Sequence, residues 1–370
     1  MGSQYSADPM RYNAAMNRKR HLILAAALAA IVIITRGGTK PVDIKPTDSK
    51  RLVIGYFWIP GKSDRSAYPC VRENYNVLTH VCPTRVAIAD TDGNVKCGKD
   101  NYLLAFAKEK GLGVFPLVAN GEFSKEIAHE VLIDPAKRAK VIDQLLKITL
   151  DWKCPGINID IENLPKEDRP HLSAFMSELS DKFHAKKLLV TIDVPAKTRD
   201  APEAEWAGPF DYVALGKSCD LVMLMAYDEH WSAGSPGPIG SAPWVRRVLE
   251  YATSVIPREK VVLGVPFYGY DWPEQGRAKS HTTKSVEALI AKVKPEIKWD
   301  DEGKYHWFTY TAEDGVKREV WYEDPDSLKH KVSLAQEYGV AGISIWRLGD
   351  EHPDYWKLLA KYRKGESILK

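Results

Sequence analysis

Beyond residue 50 the chain repeats one pattern: a short apolar run rich in β-branched residues, then a longer stretch with helical spacing. The runs are 51–58, 77–89, 112–119, 156–161, 188–194, 221–227, 261–266 and 342–346. Helix-like stretches such as 102–110, 135–150, 170–186, 243–255 and 327–338 lie between them. Runs that are apolar along their length read as strands covered on both faces, and strict alternation with helices implies a parallel sheet. Eight such repeats fit a (β/α)8 barrel, a fold of roughly 250 residues before insertions. A doubly wound open sheet is the alternative, but it usually has fewer strands and a glycine fingerprint that is missing here.

One interval, 267–342, is too long for a single helix. Alternation over 307–311 and 319–323 around Asp314-Gly315 reads as a β-hairpin with a tight turn. We therefore expect a barrel over 51–365 with a small α+β insertion, 272–326, after strand 7. The insertion would stand at the active-site end, its aromatic residues forming one wall of a cleft.

Residues 1–50 carry eight Lys and Arg against three Asp, whereas the rest of the chain is slightly acidic within a net charge of +3. The basic character thus belongs to the tail, and no nucleic-acid footprint is expected on the folded part. Arg18-Lys19-Arg20 precedes thirteen unbroken apolar residues, 22–34. That is short for a membrane span of about 20 residues and close to a signal-peptide core. The expected layout is a basic tail (1–21), a signal-anchor or signal-peptide segment (22–35) and a linker (36–50). Cutting after the small-x-small triplet 27–29 would leave too short an apolar core, which favours an uncleaved membrane anchor. Either form places the body outside the cytoplasm. The five cysteines are too few for a disulfide scaffold. Cys82, Cys154 and Cys219 read as core, while Cys70 and Cys97 sit in loop-like sequence and are candidates to pair.

The most informative stretch is Ile157-Asn158-Ile159-Asp160-Ile161-Glu162. With a side-chain period of two, the isoleucines face the helices and Asn158, Asp160 and Glu162 share the barrel interior. Burying unpartnered carboxylates costs several kcal/mol, so stability alone does not account for the pattern. The acids step toward the carboxyl end of a barrel strand, where such barrels hold their active sites. Alternate residues are about 6.6 Å apart along a strand, so both acids approach a substrate from one side. A two-carboxylate glycosidase needs its acid and its nucleophile or base on opposite sides of the sugar. One acid with a supporting carboxylate fits better, and the nucleophile must come from elsewhere. Like-charge coupling would raise one pKa of the pair, as a proton donor at neutral pH requires.

The segment 156–162 closely resembles the DxxDxDxE signature of glycoside hydrolase family 18, the chitinase-like retaining enzymes. Met225-Ala226-Tyr227-Asp228, Gly264-Val265-Pro266-Phe267-Tyr268-Gly269 and Gly342-Ile343-Ser344-Ile345-Trp346 fall where that family has its strands 6, 7 and 8. The stretches 163–165, 194–198, 226–231 and 267–272 resemble the branch of spore-germination, cortical-fragment-lytic N-acetylglucosaminidases. Asn158 stands where chitinases usually have an aspartate that shares a proton with the middle one, so a shifted pH profile is expected. The spore branch is similar in having asparagine there.

The resemblance implies a substrate-assisted mechanism, an exception to the two-carboxylate scheme. Glu162 would protonate the leaving oxygen, and the substrate's 2-acetamido oxygen would attack the anomeric carbon to give an oxazolinium ion. Asp160 would orient the acetamido N–H, and the Tyr227 hydroxyl would hold the acetamido oxygen. Trp346 would floor the sugar site. Asn158, Asp228, Glu229, Tyr268 and Tyr56 are further candidates to bind substrate; for Tyr56 and Tyr268 core packing is an equal reading. His230 with Asp228 has the composition of a metal pair but reads as a solvated loop histidine, and the implied chemistry needs no cofactor. The expected partner is an N-acetylglucosamine-containing polysaccharide, either peptidoglycan (including spore cortex) or chitin and other glycans, acted on by a monomer. A non-catalytic lectin on the same scaffold is the reading from another class.

Overall fold

The computed structural model describes residues 51–59 and 66–368. The apolar segment expected to serve as anchor or signal lies outside them. Among the described residues no helix is long and apolar enough to cross a membrane.

Eight parallel strands close a barrel: β1 (Leu52–Phe57), β2 (His80–Ile88), β3 (Leu117–Asn120), β4 (Gly156–Asp160), β5 (Leu189–Pro195), β6 (Leu221–Met225), β7 (Val261–Pro266) and β8 (Gly342–Trp346). Each pairs with the next, and β8 returns to β1 through Leu52–Gly342 and Gly55–Ile345, so the sheet has no open edge. The run 112–119 is divided at Pro116, which has no N–H for a ladder. Gly113–Val114 pairs with the start of β2 and Leu117–Asn120 with its end, across a register shift between Thr84 and Val86.

Helices cover the barrel where the sequence provides start and stop signals. Asp134 caps Pro135–Trp152 by accepting from the Ala136 and Lys137 N–H groups, with proline in the first turn. Asp100 caps Asn101–Lys110, which ends on Gly111 at φ 70°. Alternation sorts the strand residues as expected. Ile157, Ile159 and Ile161 join the large apolar layer under the helices. The barrel interior holds Ile54, Tyr56, Cys82, Phe115, Leu117, Leu221, Met223 and Val262. All five cysteines are thiols. Cys70 is buried in the helix Ala67–Asn74 and Cys97 is exposed, so the contemplated pair does not form.

Between β7 and β8 the chain builds a five-stranded antiparallel sheet, ordered Lys279–Thr282, Tyr268–Pro273, Lys317–Tyr322, Tyr305–Thr311, Lys298–Asp300, with the helix Thr283–Val293. The expected hairpin is its centre, turning through Gly315 at φ 79°. A buried ion pair ties this sheet to the barrel: Lys331, on the helix Pro325–Tyr338, lies 3.0 Å from both carboxylate oxygens of Glu323. Tyr305 and Ser327 also donate to Glu323, so the buried charge is surrounded by donors. Lys331→Met should lower stability by about 3–5 kcal/mol, the usual loss when one member of a buried pair is stranded. Adding Glu323→Gln should recover much of it, as urea unfolding would measure.

Candidate active site

A cleft of about 660 Å³ opens at the carboxyl ends of the strands, with Asp160, Glu162, Asp193, Tyr227, Asp228 and Trp346 among its lining residues. Its polar centre is built by alternation on two adjacent strands. Asn158 and Asp160 project inward from β4, and Thr191 and Asp193 from β5; all four are buried.

Thr191 donates to Asn158 Oδ1 at 2.6 Å, which turns the Asn158 amide nitrogen toward Asp193 Oδ2, also at 2.6 Å. The Tyr56 hydroxyl donates to Asp193 Oδ1 and also contacts Met223 Sδ at 3.0 Å. Asn158 is 0% exposed and reaches no cleft surface. It lies beneath the site as a donor to Asp193, where a sequence reading had put a sugar contact. Tyr56 is likewise spoken for by Asp193, although it also lines the cleft.

Burial is the largest cause of the raised pKa values here. It lifts Asp193 to about 7, against the hydrogen bonds from Tyr56 and Asn158. It holds Asp160 well above the carboxylate range, reinforced by the charges of Asp193 and Glu162. Glu162 rises to about 6, again through burial, while a hydrogen bond from Asp160 pulls it down. The bond raises Asp160 and lowers Glu162, so Asp160 carries the proton and donates it. The pair therefore retains a proton at pH values where isolated carboxyls have lost theirs.

Glu162 lies just past the end of β4, and its backbone is held from the side. Asn120, buried at the end of β3, accepts from the Glu162 N–H and donates to the Glu162 carbonyl, both at 3.0 Å. The same amide nitrogen reaches the Ser124 carbonyl at 2.9 Å. Asn163 in turn donates to the Phe123 carbonyl at 3.2 Å. Glu122 and Phe123 both adopt positive φ, 53° and 52°, and Phe123 lines the cleft. Strained backbone of this kind persists only where its surroundings hold it, and here two asparagines do so.

Across the cleft Tyr227 follows β6. Gly264 on the adjacent β7 leaves room for it: a Cβ there would lie 2.3 Å from the Leu224 carbonyl oxygen and 3.2 Å from the Tyr227 ring. Burial raises the Tyr227 pKa, as do Asp193, Asp160, Glu162 and Asp228, so its hydroxyl stays protonated among these acids. Asp228 accepts from Tyr268 at 2.5 Å and Tyr270 at 3.0 Å. Burial raises its carboxyl, partly offset by those two donors. Tyr268 thus acts on Asp228 from outside the lining. Glu229 lines the cleft but gives one carboxylate oxygen to the Ser241 N–H at 2.7 Å. Trp346 lies 5.5 Å from Tyr56 and 6.4 Å from Trp58, ring centre to ring centre, and forms part of the cleft surface.

Sequence reasoning missed Asp193, Asn120 and the cleft aromatics Trp58, Phe123, Trp206 and Trp244. Asp193 had a signal, because Thr191-Ile192-Asp193 repeats the inward polar alternation of β4. His230 bonds the Ser235 carbonyl at 3.0 Å. Among the described residues the ligand-like cluster is His306, Asp324 and Asp326, but Asp324 is already committed to capping the helix Pro325–Tyr338 and to His306.

The sequence pattern of the Glycosyl hydrolases family 18 matches residues 52–351. The chain belongs to that family. It is 28% identical over 356 residues to the uncharacterized glycosylase YvbX of Bacillus subtilis, covering 94% of this chain and all of that protein. It is 31% identical over 282 residues to the cortical fragment-lytic enzyme of Bacillus anthracis, covering 74% of this chain and 65% of that enzyme. Among solved structures, the spore cortex-lytic enzyme SleL of Bacillus megaterium superposes with a TM-score of 0.78 at 28% identity, over 86% of this chain and 75% of SleL. A chitinase from Chromobacterium violaceum gives 0.77 at 28% identity, over 85% and 99%.

The acids' raised pKa values also make a stability statement. A carboxyl whose folded pKa lies above its unfolded one loses stability as pH rises between the two values. Asp160→Asn should therefore raise the urea midpoint at pH 7 and far less at pH 3, where the carboxyl is protonated in the folded chain and mostly protonated in the unfolded one, while activity is lost. Asn120→Ala should lower kcat roughly 10- to 100-fold through misplacement of Glu162, with KM nearly unchanged, as steady-state kinetics would read.

Proposed function

We propose that the protein is a retaining glycosidase that cleaves the β-1,4 bond after N-acetylglucosamine in peptidoglycan, spore cortex included, by substrate-assisted catalysis. One arrangement carries this reading: Asp160 and Glu162 stand together at the end of a single strand, both carboxyls raised by burial, rather than facing each other across a sugar. The cleft carboxylate beyond them, Asp228, is engaged by two tyrosine hydroxyls. The attacking atom is then the substrate's own acetamido oxygen.

In this reading the sugar's N–H takes over the Asp160 carboxylate and the shared proton passes to Glu162. Glu162 protonates the glycosidic oxygen as the bond from C1 breaks and the acetamido oxygen closes on C1. Asp160, now ionised, faces the positive oxazolinium, and the Tyr227 hydroxyl donates to the acetamido oxygen. Water then attacks C1 and loses its proton to Glu162, with net retention. Similarity to cortical fragment-lytic enzymes favours peptidoglycan over chitin as the polymer. The cationic flank and apolar run of the N-terminal segment support delivery to the outer face of the membrane, as an anchored or released form.

Incubating the chain with peptidoglycan, cortex fragments and chitin oligosaccharides, and identifying new reducing ends by mass spectrometry, tests the reaction. N-acetylglucosamine ends that disappear with Glu162→Gln, a loss of about 10²–10⁴-fold for a general acid, are the expected result. N-deacetylated substrate should be inert, and proton NMR should show the β anomer first. Cleavage of deacetylated glycan at a similar rate would remove the substrate-assisted step.

A further inference from the structure

Asp193 is a buried acid that the proposed reaction leaves without a task. It stands on β5, and the ladder to β4 pairs Asn158 with Thr191 and Ile159 with Ile192. The next step of that register sets Asp160 opposite Asp193, both facing inward on strands about 4.8 Å apart. Like charges directly opposite each other on a sheet are unfavourable. Among the described residues, no lysine, arginine or histidine lines the cleft around them.

The surroundings treat these two acids differently. Both oxygens of Asp193 accept, Oδ1 from the Tyr56 hydroxyl and Oδ2 from the Asn158 amide at 2.6 Å. Asn158 presents its nitrogen there because Thr191 donates to its oxygen, also at 2.6 Å. A carboxyl that only accepts is the ionised form, since the protonated one must also donate. Asp160 has a second acid, Glu162, for its partner, and a bond between two carboxyls needs a proton on one of them. The other titratable groups facing Asp193 are Tyr56 on β1, Cys82 on β2 and Tyr227 after β6, with Asp228 beyond it. Burial above all raises the two tyrosines and the thiol, so they stay neutral and supply no countercharge. The charge of Asp193 therefore falls on the pair above.

We propose that Asp193 is a positioning residue for the reaction: its carboxylate, fixed beneath the pair by Tyr56 and Asn158, holds the transferable proton on Asp160 and Glu162 until substrate binds. The inference rests on the role given to Glu162 and deepens it. A charge one strand away opposes loss of the proton to water without competing for it, because both of its oxygens are already engaged.

The test follows kcat/KM against pH on the oligosaccharide that the chain cleaves, where the alkaline limb reports loss of the proton from the free pair. Removing a charge that opposes ionisation lowers the pKa of the pair, so Asp193→Asn should move that limb to lower pH by about one unit. The Tyr56 hydroxyl can then turn its proton to Met223 Sδ, 3.0 Å away, and accept from the new amide. Asp193→Glu keeps the charge and should return the limb toward its original place even where kcat falls. Tyr56→Phe removes one donor, leaves Asp193 less ionised and should shift the limb the same way by a smaller amount. A loss uniform across pH with the limb unmoved, or a limb that moves to higher pH, would overturn the proposal. Carbon-13 NMR of Cγ-labelled aspartate, with the Asp160 signal identified through Asp160→Asn, reads the same coupling without turnover. The Asp160 midpoint should fall with Asp193→Asn, and an unmoved midpoint would overturn the proposal whatever the rates. A midpoint that falls in a chain that cleaves no glycan would sink the proposed reaction and leave the electrostatic hold on the proton standing.

Discussion

Three carboxyl groups, Asp160, Glu162 and Asp193, stand in one water-poor pocket at the top of a barrel whose lower interior is apolar. Burial raises the pKa of all three, which favours keeping protons there, and the neighbouring side chains are arranged around that fact. Asn158 shows this most directly. An aspartate there would bring a further negative charge against Asp193, whereas the amide donates a hydrogen bond to it and is itself oriented by Thr191. The Tyr56 hydroxyl supplies the second donor. The reacting pair above is left as the place where a proton moves.

The barrel makes this possible because its closed parallel ladder needs no side chains to satisfy the backbone. Polar side chains at the carboxyl ends of β4 and β5 can then bond one another, while the alternate residues on the same strands pack under the helices. The same division of labour appears in the insertion. One face of its sheet packs Phe308, Val320 and Tyr322 against Val286 of the helix Thr283–Val293, and the other carries Trp272, Tyr305 and Trp321 beside Tyr227 and Tyr268. The wall that presents Tyr268 and Tyr270 to Asp228 is therefore backed by its own core.

Much of this was legible in the chain because it is written in periods. The alternation over 157–162 gave the faces of β4 correctly, and eight apolar runs gave the barrel. Asp193 obeys the same period but sat in a strand read only for its hydrophobicity. Asn158 was placed on the right face and at the wrong depth, since period two states which side a residue faces and not how far below the surface it lies. Asn120's hold on Glu162 could not be read locally: those contacts are with a backbone 42 residues away, and only strand adjacency reveals them. Cys70 looked like loop because the helix Ala67–Asn74 is short and begins without a side-chain cap.

The crossed asparagines, Asn120 to the Glu162 backbone and Asn163 to Phe123, make two consecutive loops of the barrel a single mechanical part. Such barrels are usually regarded as scaffolds whose loops can be exchanged one at a time. Here the loop after β3 and the loop after β4 would have to be inherited, or transplanted, together. A change in the shape of the cleft at Phe123 is also a change in the placement of the acid.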